Sequence, residues 1–467
     1  MRRTKIVATI GPKTESYEML RLLAESGVNV FRLNFSHGTH EWHGNVMDRI
    51  SRLNQETGRH CAVMLDTKGP EIRTGDLRVP IELRKGQEII LTVEHGRSEE
   101  LEKITVNYDA FIHDVEEGDR VLVDNGLMTL QVKKIQGKNV VCEVLDGGTL
   151  GSRRHLNLPG KDVSLDSLTE KDWNDIRFGI EKKVDFLALS FVRGPREIET
   201  VKKFLRKEKA DISVIAKIET LDATKHLAGI FEASDGIMVA RGDLGAEVPF
   251  TQVPLLQWEM AQMAGRYQKF SIVATQMLES MSRSPIPTRA EVSDVFAAVW
   301  QRNDAIMLSG ETAMGEFPLK AVQAMHDIAI ETETNYLRKR AIRKVEPTDE
   351  RSEFCKNAGT AAEDLDDIAG IVVVTKTGYM ANLMAAFRPR SPIFAVTNQA
   401  STARQCEILW GTESFLVHFS EDPEKTIEQA VKVILGKKPE LKKKKYVLLS
   451  DILVGEALMP AVQIRTF

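Results

Sequence analysis

Eight short runs of aliphatic and β-branched residues recur between residues 5 and 309, each bounded by turn residues and separated by segments of helical pattern. They are Lys5–Ile10, Asn29–Phe35, Cys61–Asp66, Phe186–Val192, Ser213–Glu219, Gly236–Ala240, Ser271–Gln276 and Ala305–Ser309. The apolar residues follow one another without the alternation of a half-exposed strand. Each strand is therefore expected to be covered on both faces, as parallel strands joined by helical crossovers are. Eight such units predict a (β/α)8 barrel, in which chemistry gathers at the carboxyl-terminal ends of the strands. Six of the eight runs end in polar residues suited to that position: Arg32-Leu33-Asn34-Phe35-Ser36, Asp66-Thr67-Lys68, Lys217-Ile218-Glu219, Arg241-Gly242-Asp243, Ala274-Thr275-Gln276 and Ser309-Gly310-Glu311.

The alternation breaks between the third and fourth runs. Residues 68–167 carry Gly86, Gly118, Gly126, Gly137 and Gly147-Gly148 between strand-like runs such as Val121–Val123 and Val140–Leu145, and read as an inserted small β-barrel domain. Because it leaves the main barrel at the active face, this insert is positioned to act as a lid that excludes water. A charged stretch, Arg338 to Arg351, precedes a further α/β unit with runs at Ile371–Thr375, Ile393–Thr397, Phe415–Phe419 and Tyr446–Ser450. The 467 residues thus divide into a catalytic barrel (1–67 and 168–340), a lid (68–167) and a C-terminal α/β domain (341–467) suited to effector binding or assembly. Three units are what this length leads one to expect.

Lys and Arg number 63 against 67 Asp and Glu, a formal charge of −4 that offers no surplus to hold nucleic acid or an anionic membrane. The apolar runs are strand-sized, short of the roughly 18 residues of a membrane helix, and the run after Arg2 and Arg3 is too short for the apolar part of an export signal. Cys61, Cys142, Cys355 and Cys406 lie far apart, the pattern of reduced thiols, and lead to a cytoplasmic expectation. His37, His40 and His43 are spaced by three, but a zinc-protease helix needs its second histidine where Gly44 stands. No P-loop, dinucleotide fingerprint or serine-hydrolase elbow occurs, so any nucleotide is held by other means. The six lysines between Lys437 and Lys445 read as a solvated turn.

Arg32, Asn34 and Ser36 are spaced by two, which on a strand puts them on one face and Phe31, Leu33 and Phe35 on the other. Oxygens of Asn34, Ser36 and Thr67 with the Asp66 carboxylate make a hard donor set of one negative charge, suited to potassium or sodium. Ordinary strand-end hydrogen bonding is the plainer alternative. Lys217 and Glu219 repeat the spacing between Ile215 and Ile218. An ammonium in such a run must be paired, either in a salt bridge that stabilises the barrel or around a bound anion. Glu219 and Asp243 offer two carboxylates to Mg²⁺ or Mn²⁺, which keep water or substrate oxygens as further ligands. Gly242 and Gly245 let backbone amides approach a carboxylate or phosphate.

Seven segments, including Phe31-Arg32-Leu33-Asn34-Phe35-Ser36-His37-Gly38, Leu65-Asp66-Thr67-Lys68-Gly69-Pro70-Glu71-Ile72-Arg73-Thr74-Gly75 and Ala240-Arg241-Gly242-Asp243-Leu244-Gly245, closely resemble those of pyruvate kinases in order and spacing. The others run from Thr4 to Pro12, Ala274 to Met281, Pro287 to Glu291 and Met307 to Ala313. The resemblance implies a barrel with a lid and a C-terminal domain, usually a homotetramer, that transfers phosphate from phosphoenolpyruvate to ADP with Mg²⁺ (or Mn²⁺) and K⁺. Carried over residue by residue, it assigns K⁺ ligation to Asn34, Ser36, Asp66 and Thr67, and divalent-ion ligation to Glu219 and Asp243. It assigns Lys217 to the transferring phosphoryl group. Thr275 falls to the substrate carboxylate and proton delivery, with Gly242 and Asp243 on the substrate side. Arg32 and Arg73 fall to phosphate contacts, and Asn34, Ser36 and His37 with Arg73 to the nucleotide side. Glu71 stands where a glutamate accompanies potassium dependence, so K⁺ activation is expected.

The chain also departs from the family pattern. Thr220-Leu221-Asp222 follows Glu219 in place of an asparagine-rich continuation, Asn125 follows Asp124 where an aspartate is usual, and Arg154-His155-Leu156 replaces a Lys-Gly-Val start, which moves a nucleotide contact to Arg154. Thr375-Lys376-Thr377-Gly378 suits a phosphate-binding turn for an effector, whereas Ser450-Asp451-Ile452-Leu453-Val454-Gly455 lacks a glycine- and threonine-rich loop and argues against sugar-bisphosphate activation. Two readings compete with the kinase. A barrel lyase of the class I aldolase kind would use Lys217 as a Schiff base, which an adjacent Glu219 and a metal cage do not fit. A catalytically silent metabolite-binding homologue is disfavoured by the full complement of site residues.

Overall fold

The computed structural model describes residues 2–94, 103–124, 126–161, 167–335, 345–454 and 457–467; Asn125, Gly455 and residues 338–344 of the charged stretch lie outside them. Eight parallel strands close into a barrel: β1 (Lys5–Thr9), β2 (Val30–Asn34), β3 (Ala62–Asp66), β4 (Phe186–Leu189), β5 (Ser213–Ile218), β6 (Gly236–Ala240), β7 (Phe270–Ala274) and β8 (Ala305–Leu308). Each pairs with its neighbours in sequence, and β8 closes on β1. Most strands stop before the polar end of the run that predicts them, because those side chains make their own hydrogen bonds in place of the ladder.

The period of two sorts each strand. Val7, Val30, Met64, Ala188, Ile215, Met238, Ile272 and Met307 fill the barrel interior. Ala8, Phe31, Leu33, Leu65, Leu187, Ala216 and Val239 pack beneath the helices. One step of two beyond Val30, Met64, Ala188 and Ile215 along the chain stand Arg32, Asp66, Ser190 and Lys217, all buried. The interior is thus apolar through its middle, with Arg32, Asp66 and Lys217 at the carboxyl-terminal mouth.

The loops after β1 and β8 dock on each other: the Thr14 hydroxyl donates to the Thr312 carbonyl at 2.9 Å and the Thr312 hydroxyl to the Thr9 carbonyl at 2.8 Å. Any side chain at Gly11 would strike the Ala313 backbone. Thr288 and Glu291 form a capping box on the helix Arg289–Trp300, and Glu291 also takes the Ser280 amide at 2.7 Å. Three of the sequence segments that carry the resemblance, 4–12, 287–291 and 307–313, therefore hold structural devices.

Between β3 and β4 the insert builds a six-stranded sheet and a two-stranded ribbon, Ile81–Leu83 with Gly148–Leu150, around one apolar core that includes Leu83, Leu91, Val121, Leu130, Val144 and Leu150. The C-terminal domain is a five-stranded sheet of spatial order β11-β10-β9-β12-β13: β9 (Ile368–Val374), β10 (Ile393–Thr397), β11 (Thr412–Leu416), β12 (Lys445–Val454) and β13 (Ala457–Thr466). The first four are parallel and β13 is antiparallel to β12. This domain closes the base of the barrel, where Phe186 and Phe270 share a core with Leu383, Cys406 and Leu409. Among the described residues no helix is long and apolar enough to cross a membrane.

Candidate active site

Lys217 leaves β5 pointing into the mouth, and all three of its ammonium donors are engaged: Asp66 Oδ1 at 3.0 Å, Glu219 Oε1 at 2.8 Å and the Ser190 hydroxyl at 2.7 Å. The second Asp66 oxygen receives Arg32 Nε at 2.6 Å, and Arg32 Nη1 donates to the Thr9 hydroxyl at 2.9 Å. The second Glu219 oxygen accepts the Phe191 amide at 2.7 Å. Phe191 holds a left-handed backbone, φ 53°, an uncommon conformation for a bulky residue that persists only where its surroundings impose it. The strained turn after β4 therefore holds both Lys217, through Ser190, and Glu219, through Phe191.

Burial alone would raise Asp66, yet the Arg32 and Lys217 cations hold it below the usual carboxylate value. Burial alone would lower Lys217, but Asp66 and Glu219 more than offset this and keep it protonated. Glu219 is pushed up to about 7 by burial, with Lys217 opposing and the nearby Asp243 adding to the rise. Asp243, in the first turn of the helix Arg241–Glu247, has no hydrogen-bond or ion-pair partner among the described residues. Two neighbouring carboxylates, one destabilised as an anion and the other unpaired, are a donor set that a divalent cation suits. The monovalent donors also lie together: Asn34 and Asp66 are register partners at the ends of β2 and β3, and Thr67 follows directly. They are oxygens throughout, as a hard ion requires.

Several expectations need correction. Ser36 does not share a strand face with Arg32 and Asn34, since β2 ends at Asn34 and Phe35 and Ser36 form a turn in which the Asn34 side chain takes the Ser36 amide at 3.1 Å. The two carboxylates offered to a divalent ion are not equally open, because both Glu219 oxygens already have donors. The Gly242 amide is also engaged, by the Thr275 hydroxyl at 2.9 Å, in a helix of seven residues. Arg73 lies in the insert, where Glu71 binds it through two hydrogen bonds of 2.7 and 3.0 Å, and Lys68 approaches the same carboxylate at 3.8 Å. Arg154 faces Asp124 at 3.3 Å within the lid. His37 is exposed, and its carbonyl meets the His43 ring, which stacks on Phe35 with centroids 3.9 Å apart. Arg32, Asp66, Lys217, Glu219, Gly242, Asp243 and Thr275 thus form the mouth of the barrel, with Asn34 and Thr67 at its edge. Arg73, Arg154 and His37 stand on the lid and rim.

Sequence reasoning missed Thr9, Ser190, the Phe191 amide and Arg241. Ser190 was findable, since it stands two residues after the interior Ala188 as Asp66 does after Met64. A cleft between lid and barrel is lined by Ile72, His155, Asn157, Phe191, Leu221 and Glu247.

Set against known proteins, residues 1–322 match the family described as "Pyruvate kinase, barrel domain" and residues 352–458 that described as "Pyruvate kinase, alpha/beta domain". "Pyruvate kinase isozyme G, chloroplastic" of Nicotiana tabacum is 47% identical over 441 residues, 93% of this chain and 78% of that protein. "Plastidial pyruvate kinase 2" of Arabidopsis thaliana is 46% identical over 449 residues, 93% of this chain and 75% of that protein. "Pyruvate kinase" of Staphylococcus aureus strain USA300 is 44% identical over 419 residues, 88% of this chain and 71% of that protein. A closed eight-stranded barrel with Arg32, Asp66, Lys217 and Glu219 buried at its mouth, and kinship over nearly the whole chain, lead to one statement: the chain belongs to the pyruvate kinase family.

Proposed function

We propose that the mouth around Lys217 carries out the family's reaction, transfer of the phosphoryl group of phosphoenolpyruvate to ADP, with the residue roles given below. One observation carries the reading: Arg32, Lys217, Lys68 and Arg73 are nearly balanced by Asp66, Glu71, Asp243 and the part-protonated Glu219, so the protein brings little net charge to the site. Phosphoenolpyruvate and ADP are both polyanions. A nearly neutral site binds them only together with added cations, and Glu219 and Asp243 suit Mg²⁺ or Mn²⁺ while Asn34, Ser36, Asp66 and Thr67 suit K⁺. Bound cations supply charge stabilisation to the transferring phosphoryl group and to the enolate left behind.

In this reading a phosphoryl oxygen takes the Lys217 donor now given to Glu219. The bond from phosphorus to the enol oxygen breaks as one forms to a terminal ADP oxygen, and the electron pair stays on the enolate. Lys217 and Arg32, fixed by Asp66, face the charge as it develops and need not reorganise. Thr275 stands on the side from which the enolate carbon takes its proton, and the lid, carrying Arg73 and Arg154, covers the nucleotide and excludes water. A coupled lactate dehydrogenase assay with phosphoenolpyruvate, ADP, Mg²⁺ and K⁺ tests the reading. Activity that survives chelation of divalent ions would overturn it, and borohydride trapping of Lys217 with a keto substrate would turn it into the lyase.

We also propose a homotetramer, supported by a ten-residue edge strand, β13, with exposed Met459 and Ile464, and by exposed Phe250, Leu255 and Trp258 around the helix Val253–Arg266. A monomeric mass by light scattering would refute it. Four separate, buried, free cysteines fit the reducing cytoplasm. The plastid names of two relatives make that organelle the competing location, and cell fractionation decides between them.

A further inference from the structure

β6 and β7 stay in register as far as Ala240 opposite Ala274. Beyond that pair the ladder ends, and the residues to which the chemistry is assigned begin: Gly242 and Asp243 on one side, Thr275 on the other. Thr275 and Gln276 both adopt left-handed backbone, with φ of 66° and 53°. A β-branched residue holds that conformation only when its surroundings impose it. Arg241 provides the constraint. Its Nε donates to the Ala274 carbonyl at 3.3 Å, and its Nη2 to the Thr275 carbonyl at 2.6 Å and the Gln276 carbonyl at 3.2 Å. Its Nη1 is fixed in turn by Asp294 at 2.6 Å and Gln257 at 3.4 Å.

We propose that Arg241 is a positioning residue for proton delivery: where the sheet ladder stops, its guanidinium fixes the left-handed turn that presents the Thr275 hydroxyl. That hydroxyl accepts the Gly242 amide at 2.9 Å and donates to the Ala274 carbonyl at 2.7 Å, so its oxygen is fixed at the residue before Asp243, and delivery requires that the O–H turn away from that carbonyl. A planar fork spans three successive carbonyls and still reaches Asp294 from its other edge; a lysine ammonium, a single compact donor, does not. The next part of the loop is anchored separately, since Glu311 takes the Leu278 amide at 3.0 Å and the Ser309 amide at 2.8 Å. Loss of Arg241 therefore loosens 274–276 and not the whole loop. The proposal rests on the assignment of Thr275 to proton delivery.

Arg241→Lys, Thr275→Ala and the double variant are compared by kcat, by KM for phosphoenolpyruvate, and by NMR of the exchange of pyruvate methyl protons with D2O, the reverse of enolate protonation. Arg241→Lys is expected to lower kcat and exchange together by about 10- to 100-fold, the effect of a small misplacement of a reacting group, with KM changed by less than about threefold. In the Thr275→Ala background it is expected to add less than about twofold, because residues that act through one another are not additive. Independent, multiplicative losses, or normal exchange in Arg241→Lys, would overturn the proposal. Normal exchange in Thr275→Ala alone would instead overturn the assignment of Thr275. If circular dichroism shows Arg241→Lys unfolded, Asp294→Asn, which releases the other edge of the guanidinium, is run through the same cycle and judged by the same criteria.

Discussion

The two ends of the barrel both bury ion pairs, but they use them differently. At the base three charges each have a counterpart across the boundary with the C-terminal domain. Asp304 meets Arg388 at 2.5 Å and also takes the Trp410 amide at 3.0 Å, Asp185 meets Arg404 at 2.8 Å, and Lys5 lies 3.9 Å from Glu407. At the mouth the charges are shared: Asp66 serves two cations, Lys217 serves two carboxylates, and Asp243 has no partner among the described residues. Left-handed, non-glycine backbone occurs at both ends, at Phe191, Thr275 and Gln276 in the mouth and at Gln268, Arg302 and Arg388 around the base, so it is the pairing and not the strain that tells them apart. Saturated pairs hold two domains together, whereas a shared and incomplete set keeps valence for a ligand. Buried charges signal function when their pairing is incomplete.

The sharpest break of this contrast is at the base. Asp304→Asn leaves the buried Arg388 cation without its counter-charge and is expected to cost about 3–5 kcal/mol of stability, read as a lower urea midpoint, with kcat of the folded enzyme unchanged. A matching loss of kcat would erase the division between the two ends. Lys217→Met should do the reverse: kcat falls by about 10²–10³, as when an oxyanion donor is lost, with KM for phosphoenolpyruvate changed less. Near-normal turnover would remove Lys217 from the mechanism.

A smaller effect distinguishes the base pairs from each other. Burial raises Asp185 to about 6, with Arg404 only partly opposing. Its folded value lies above its unfolded one, so between about pH 4 and 6 the folded state holds a proton that the unfolded state has released. The contribution of this group is fully present below pH 4 and is lost as pH rises through 6, up to about 3 kcal/mol at 1.36 kcal/mol per unit. Subtracting the stability curve of Asp185→Asn from that of the unaltered protein should reveal this slope; parallel curves would contradict it. The smallest effect expected is that of replacing K⁺ by tetramethylammonium. Arg73 and Lys68 are tied to Glu71, a carboxylate where a lysine would replace the ion. The rate should fall by at least about tenfold, or 1.36 kcal/mol, and equal rates would refute K⁺ activation.

Much of this architecture was legible because its signals are local. The eight apolar runs announced strands covered on both faces, and a lysine between Ala216 and Ile218 announced a paired charge. Ser36 was misread because a spacing of two means one face only while the strand lasts, and β2 ends at Asn34. The strand β13 went unseen because Pro460 interrupts its pattern; an edge strand tolerates a residue without an N–H. Arg241 looked like one more polar residue at a strand end. Nothing nearby in sequence shows that its partners are carbonyls 33 to 35 positions later, at Ala274, Thr275 and Gln276.

From the order of its residues alone this chain settled the eight strands of its barrel, the place of its insert, and which residue types stand at the open end of the barrel, since hydrophobic periodicity acts over a few neighbouring positions. Which of those charges satisfy one another was decided only by the closed barrel. Arg32 finds Asp66 across 34 positions and Arg388 finds Asp304 across 84. Electrostatic pairing depends on distance through space, and chain closure alone brings those groups within reach.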